Sequence, residues 1–289
     1  MIDILIIGAG PAGMMAAITA SRKGKKVTLI NSAIKTGKKI YATGNGRCNF
    51  TNMNISDNSF RGSSPEFAYT ALEKFDNNML IKFFEELGVP CRDINGYIYP
   101  NSEQASSIAE ALNNELARLN VRIINDEKIT LIKNNSDIFE CYGNNNVYKS
   151  SKLIVCCGGL AAPSHGSDGS INKTIEKLGH SFTPQLPALV NLKFKDKSLS
   201  KLQGVRTKCK VSLYIDNLHS YEESGESIFN KENISGIPVM QLSRYAANAL
   251  YRNQKVSLKL DFFNDISSHD LRERIEKTIY NDFADKKTI

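Results

Sequence analysis

The sequence predicts an α/β fold carrying a β-rich insertion, on three observations. A short apolar strand runs straight into a glycine-rich turn and a helix, a second apolar strand follows that helix, and beyond Val190 the pattern changes to short segments of strand character. Ile2 to Ile7 is the first strand and Met14 to Ser21 a helix-forming stretch, so Gly8-Ala9-Gly10-Pro11-Ala12-Gly13 falls on the strand-to-helix turn. Gly8 permits a tight turn, Gly10 removes the Cβ that would hold a phosphate off the backbone, and Gly13 lets helix and strand pack closely. Pro11 and Ala12 of the turn are cofactor-binding candidates with the glycines, and the orphan amides of the helix start face any anion placed there. This is the Rossmann-type arrangement for gripping a pyrophosphate.

Lys26 to Ile30 supplies the second strand, and its end is where a ribose-binding carboxylate is expected. Asn31 stands there instead. An amide still bonds a hydroxyl, but losing the charge-assisted bond costs about 1 kcal/mol, so weak or partial cofactor retention is expected.

A second glycine-flanked segment, Gly44-Asn45-Gly46-Arg47-Cys48-Asn49-Phe50-Thr51-Asn52, is delivered beside the first, where a cofactor's reactive ring lies, and the pair points to a flavoprotein that binds FAD. Gly44, Gly46 and Asn49 position the ring region, with turn-forming as the plainer reading of the asparagine. Arg47 is the candidate cation that offsets charge on a reduced ring, against the plainer reading of a surface ion pair. Cys48 beside it has a lowered thiol pKa if both side chains point the same way, which makes it a redox candidate; a small apolar filler is the plainer reading. Lys39 either assists a phosphate or is solvated.

Residues 38–52 closely resemble the signature of the BaiN-like and aminoacetone-oxidase-like bacterial NAD(P)/FAD-dependent oxidoreductases. Three further segments are similar to the same family: Gly96-Tyr97-Ile98-Tyr99-Pro100-Asn101-Ser102; Cys157-Gly158-Gly159 through Gly166-Ser167-Asp168-Gly169 to Pro187-Ala188-Leu189-Val190; and Gly225-Glu226-Ser227-Ile228-Phe229 with Ser235-Gly236-Ile237-Pro238. The resemblance implies hydride transfer between flavin and a small organic substrate, with NAD(P)H as a transient electron donor or oxygen as the other partner. Two positions depart from it. Asn31 replaces an acidic residue, and Cys156-Cys157 stands where the family commonly has Ala-Thr. Family members also continue for about a hundred residues more, so the chain reads as C-terminally truncated, with a catalytically incompetent FAD-binding product as one alternative.

Pro65 to Phe75 and Asn77 to Leu87 read as helices, the second stopped at Gly88 and Pro90. Asn101 with Gln104 resembles a cap for a long amphipathic helix reaching Leu119. Val121 to Ile124, Thr130 to Lys133, Ile138 to Tyr142 and Val147 to Tyr148 are short strands, forming a small meander laid on the nucleotide-binding sheet. Lys152 to Cys156 is a buried strand whose exit through Gly158 and Gly159 brings backbone near the cofactor, and Asp168 is a turn cap or a ribityl contact. Past Pro184 and Pro187, Val190 to Phe194, Thr207 to Ile215, Glu226 to Phe229 and Lys255 to Phe262 have strand character around a helix at Val239 to Leu250. Ser268 to Phe283 starts a helical segment whose apolar face, at Leu271, Ile275 and Ile279, finds nothing in sequence to pack on. The expected domains are 1–189 for the dinucleotide, 190–265 for the β-rich insert, and 266–289 for the start of a helical subdomain.

At 289 residues and 41% hydrophobic, the chain can bury a sizeable core. It has no apolar run of membrane-spanning length, no signal-peptide pattern and no metal-ligand cluster. Six cysteines without C-x-x-C spacing fit a cytoplasmic protein; vicinal Cys156 and Cys157 read as buried thiols rather than a disulfide. The net charge of +7 is interspersed rather than blocked, so a solvated surface is favoured over nucleic acid. A flavin-linked RNA-binding module and a plain NAD(P)-dependent dehydrogenase are the competing readings, separated by a salt-sensitive RNA shift and by the colour of the purified protein. Oligomeric state is open at this level.

Overall fold

The computed structural model describes residues 2–56, 59–62, 64–144 and 146–284, with side chains as far as Tyr280. Two compact units divide between Thr183 and Pro184.

The first unit opens with β1 (Ile2–Ile7), α1 (Pro11–Arg22) and β2 (Val27–Ile30), followed by a two-residue β3 (Thr51–Asn52). Then come α2 (Tyr69–Leu72), α3 (Asn77–Glu86), the hairpin β4 (Cys91–Ile94) and β5 (Tyr97–Pro100), and α4 (Ala105–Arg118). The remaining elements are β6 (Arg122–Ile124), β7 (Leu131–Asn135), β8 (Ile138–Tyr142), β9 (Val147–Val155) and the short α5 (Asn172–Lys177). The main sheet has the order β6-β2-β1-β9-β8-β7, parallel from β6 to β9 and antiparallel beyond.

Alternation along β1 explains why it is buried on both faces. Ile6 packs with Met14, Ile18, Leu112 and Leu116 on the side of α1 and α4, while Leu5 and Ile7 pack with Ile129, Ile132 and Ile171 on the other. Fully burying a side chain such as Leu5 or Met14 stabilises by about 1.5 to 3 kcal/mol. Across the first face, the buried carboxylate of Glu115 on α4 accepts from Arg22 Nε at 2.8 Å and Arg118 Nε at 2.6 Å, tying α1 to α4. The Asp76 side chain caps α3 by accepting from Met79 N at 2.7 Å, so that helix starts where its sequence says.

Three expectations are corrected. Val147 to Tyr148 and Lys152 to Cys156 are one strand, because Ser150 pairs with Phe139 on one edge and Ile2 on the other, so β9 passes without a break from an antiparallel to a parallel partner. The meander therefore extends the sheet in its own plane instead of lying on it. The long helix starts at Ala105 with Gln104 as its cap residue, since left-handed Glu103 and the bond from Asn101 N to Pro90 O hold Asn101 in the turn after β5.

The second unit contains β10 (Leu192–Lys193), β11 (Arg206–Ile215), β12 (Leu218–Phe229), β13 (Asn233–Gly236), α6 (Ile237–Tyr251), β14 (Val256–Asp261) and α7 (Ser268–Ala284). Its antiparallel sheet, in the order β10-β13-β12-β11-β14, buries Cys209, Val211, Leu213 and Phe229 against Val239, Leu242 and Ala246 of α6. Ile275 and Ile279 on α7 are half exposed. No helix among the described residues is long and apolar enough to cross a membrane.

Candidate functional site

At the carboxyl ends of β1, β2 and β9, the chain leaves the sheet in three loops that enclose a cavity of about 380 Å³. The first loop is the glycine turn. A Cβ on Gly8, whose φ is +102°, would sit 2.4 Å from Cys156 O, and one on Gly13 would sit 1.8 Å from Gly8 O, so both glycines are demanded by packing between β1, α1 and the end of β9. Gly10 differs. Its φ is −77°, nothing lies within 4 Å of where a Cβ would be, and it lines the cavity. Packing does not demand a glycine there, and serine or aspartate would cap the helix at least as well; an object lying against the backbone does demand it.

Gly10 is also the cap residue of α1, and neither a side-chain cap nor an acidic residue in the first turn answers the amides that start this helix. The helix start therefore keeps its partial positive charge for whatever occupies the cavity. An anionic diphosphate fits this opening, by the space over Gly10 and by the unanswered amides.

Gly8, Gly10, Pro11, Ala12, Asn31, Lys39, Gly158 and Asp168 all line this cavity, so the structure brings together residues distributed over 160 positions of sequence. Asn31 is held in one orientation: Nδ2 donates to Ala33 O at 2.8 Å, Lys35 O at 3.1 Å and Asn125 Oδ1 at 3.0 Å. Only its Oδ1 is left to meet a hydroxyl. This also explains the missing acid, because a carboxylate would set acceptor against acceptor at Ala33 and Lys35.

Lys39 Nζ donates to Ala161 O at 2.8 Å and to Ser167 Oγ, and Lys38 Nζ donates to Ser164 O at 2.8 Å. Asp168 accepts from Ser170 N at 3.0 Å and pairs with Lys128 at 2.9 Å; Ser170, and then Lys128, hold its carboxyl well below the usual range.

Glu127 and Lys128 are lining residues that the motifs do not point to. The signal that finds them is positional, since they follow β6 at the same end of the sheet. Burial alone would raise the Glu127 carboxyl, but bonds from Asn146, Asn144 N and Tyr148 outweigh it and hold it low.

The second glycine segment lies elsewhere. Left-handed backbone at Gly44, Asn45 and Gly46 folds it into a compact turn. Gly44, Gly46 and Arg47 line neither this cavity nor an apolar one of about 880 Å³ beside α1, whereas Cys48 and Asn49 line the apolar one, which shares Pro11 and Ala12 with the first. Gly159 lines neither cavity. Asn49 Nδ2 donates to Thr51 O at 3.0 Å and Ile98 O at 3.2 Å, pinning the turn to β5.

Arg47 and Cys48 lie outside the lining of the Gly10 cavity. Arg47 pairs with Glu103 at 3.1 Å, in company with Arg92, and its guanidinium stacks over Tyr99 at 4.9 Å. Cys48 is buried, and that burial pushes its thiol up, outweighing a hydrogen bond from Thr43; no lowered thiol results. Cys156 and Cys157 fall in cores on opposite faces of the sheet, so they cannot join to each other. All six cysteines are free.

The model of the HI0933-like protein Rossmann domain matches residues 2–252. The chain belongs to this family. The HI0933-like chain is 37% identical over 270 residues to a 3-dehydro-bile acid delta(4,6)-reductase of Clostridium scindens, covering 93% of this chain and 66% of that protein. It is 29% identical over 248 residues to a ribosomal RNA dihydrouridine synthase of Haemophilus influenzae, covering 83% and 61%. Among solved structures, a flavocytochrome c3 fumarate reductase in an open conformation matches with a TM-score of 0.46 and 14% identity over 71% of this chain and 46% of that one. The chain thus spans about two thirds or less of the length of these curated relatives.

Proposed function

We propose that this HI0933-like chain binds FAD through the turn at Gly8 to Gly13 and serves an oxidoreductase that moves a hydride between the flavin and a small organic substrate, with NAD(P)H or oxygen as the other partner. The open space over Gly10 carries this reading, because a glycine that packing does not demand, at a helix start with no side-chain cap, marks close approach of a ligand to the backbone. Gly8 and Gly13 hold the strand and helix together, Gly10 leaves room for the diphosphate, and the amides opening α1 donate to it. Asn31 Oδ1 accepts from a ribose hydroxyl. FAD supplies the two-electron chemistry, and the chain's contribution is binding, orientation and exclusion of water. The reductase name of the 37% identical relative supports a small-molecule substrate.

The test is to load the purified protein with FAD and follow flavin absorbance during anaerobic addition of NADH or NADPH. Bleaching, reversed by oxygen or by an enone acceptor, is the expected outcome; protein that takes up no flavin overturns the reading.

A second reading is an RNA substrate. It is supported by the name of the 29% identical relative and by Lys193, Lys195, Lys197, Lys201 and Lys208, which are exposed and carry no ion pair among the described residues. Retarded migration of ribosomal RNA fragments that disappears with added salt is its signature.

A further inference from the structure

Residues 158–169 cross one side of the Gly10 cavity, and the way they are tied down is unusual for a loop. Three lysines from two separate walls hold them. From the β2 side, Lys38 reaches Ser164 O and Lys39 reaches Ala161 O and Ser167 Oγ; from the β6 side, Lys128 pairs with Asp168. Glycines stand at both ends, with φ of +75° at Gly158 and +68° at Gly169, so the segment is set between two positions of unusual backbone freedom. Between them it is compact: a Cβ on Gly158 would meet Ser167 Oγ at 2.5 Å, and one on Gly169 would meet Leu160 Cδ2 at 2.4 Å.

An ammonium has three donors. Lys39 gives two of them to the segment, and Lys128 gives one in a charge-assisted pair. Lysines engaged in this way are poorly placed to act chiefly on a phosphate, although each lines the cavity.

We infer that residues 158–169 form a strap that gates cofactor exchange, and that Lys39 and Lys128 are positioning residues that set cofactor residence time by latching the strap. This rests on the FAD reading of the cavity. A latch and a phosphate ligand leave different kinetic marks. Loss of a latch opens the site more often, so association and dissociation both speed up; loss of a phosphate ligand speeds dissociation and slows or leaves association.

Stopped-flow flavin fluorescence on the full chain distinguishes them with Lys39→Met and Lys128→Met, which keep the apolar stem. Each variant is expected to raise both rate constants at least about fivefold while Kd moves less than about threefold. Faster dissociation with unchanged or slower association, and a Kd weakened about tenfold or more, overturns the strap. So do unchanged rates. Lys128 is half exposed, so its variant carries the test if Lys39→Met fails to fold.

Hydrogen exchange on the chain without flavin gives a readout independent of binding. Amides of 158–169 are expected to exchange at least about fivefold faster in either variant, with those of β1 unchanged. Equal exchange overturns the strap, whereas faster exchange in the variants together with a wild-type chain that binds no flavin counts against the FAD reading alone.

Discussion

Replacing Gly10 by alanine separates a ligand-binding glycine from a structural one. The new Cβ meets nothing within 4 Å, and the backbone at φ −77°, ψ −178° suits any residue. Alanine is a poorer helix cap than glycine by about 0.5 to 1 kcal/mol, but it also removes about 0.4 to 1 kcal/mol of freedom from the unfolded chain. The two nearly cancel, so stability without cofactor should stay within about 0.5 kcal/mol of wild type. Binding has no such offset. The methyl group occupies the space against which the diphosphate lies, and losing one charge-assisted amide bond costs about 2 to 3 kcal/mol, or about 30- to 150-fold in Kd. Urea denaturation without flavin and fluorescence titration with FAD measure the two quantities. Gly13→Ala is the contrast, since its Cβ would sit 1.8 Å from Gly8 O and must unseat α1 from β1. A Gly10→Ala protein that binds FAD like wild type refutes the reasoning, and so does one that loses several kcal/mol of stability.

Three other outcomes are expected. Asn31→Asp removes the side-chain donor shared by Ala33 O and Lys35 O, leaving Ala33 O only its bond from Asp126 N, and should destabilise by about 1 to 3 kcal/mol in urea; no loss would show that those bonds are unimportant. Glu115 has its carboxyl lowered by Arg118, then by Arg22, against the opposing effect of burial, so its contribution is complete above the ordinary carboxylate range and is lost as pH falls through the lowered value. Glu115→Gln should therefore cost about 2 kcal/mol at pH 7, less than a fully buried pair because both arginines reach solvent, and the gap to wild type should close in denaturation curves below about pH 4. Arg47→Ala breaks an exposed ion pair and should cost less than about 1 kcal/mol, with flavin affinity intact; reduction of bound flavin slowed more than about tenfold would assign a catalytic role to Arg47.

The first strand, turn and helix are legible in the sequence because local chemistry fixes them: an unbroken apolar run from Ile4 to Ile7, three glycines at a strand end, and a good helix former behind. The joining of β9 is hidden because Lys149-Ser150-Ser151-Lys152 breaks the apolar pattern where the strand changes partners. The hairpin of β4 and β5 leaves a readable mark, Asn95-Gly96, both left-handed at φ +56° and +87°, the pairing that a two-residue hairpin turn demands.

At the site, Gly8, Gly10 and Gly13 can be read from spacing, but Lys39 cannot be placed, since its partners Ala161 and Ser167 lie more than 120 positions away. Arg47 shows the same limit. Neighbouring residues suggest a cation beside Cys48, and Glu103, 56 positions on, takes the charge. Long-range pairing decides where a long side chain points, and no local pattern reports it.

The most direct measurement is competition at equilibrium on the purified chain: FAD titrated alone, then displaced by ADP and by riboflavin. Saturation at one FAD per chain, displacement by ADP, and displacement by riboflavin weaker by about 100-fold, as loss of about 3 kcal/mol of diphosphate contacts requires, is the predicted result. FAD that fails to saturate, or that riboflavin displaces as well as ADP does, contradicts a diphosphate site over Gly10.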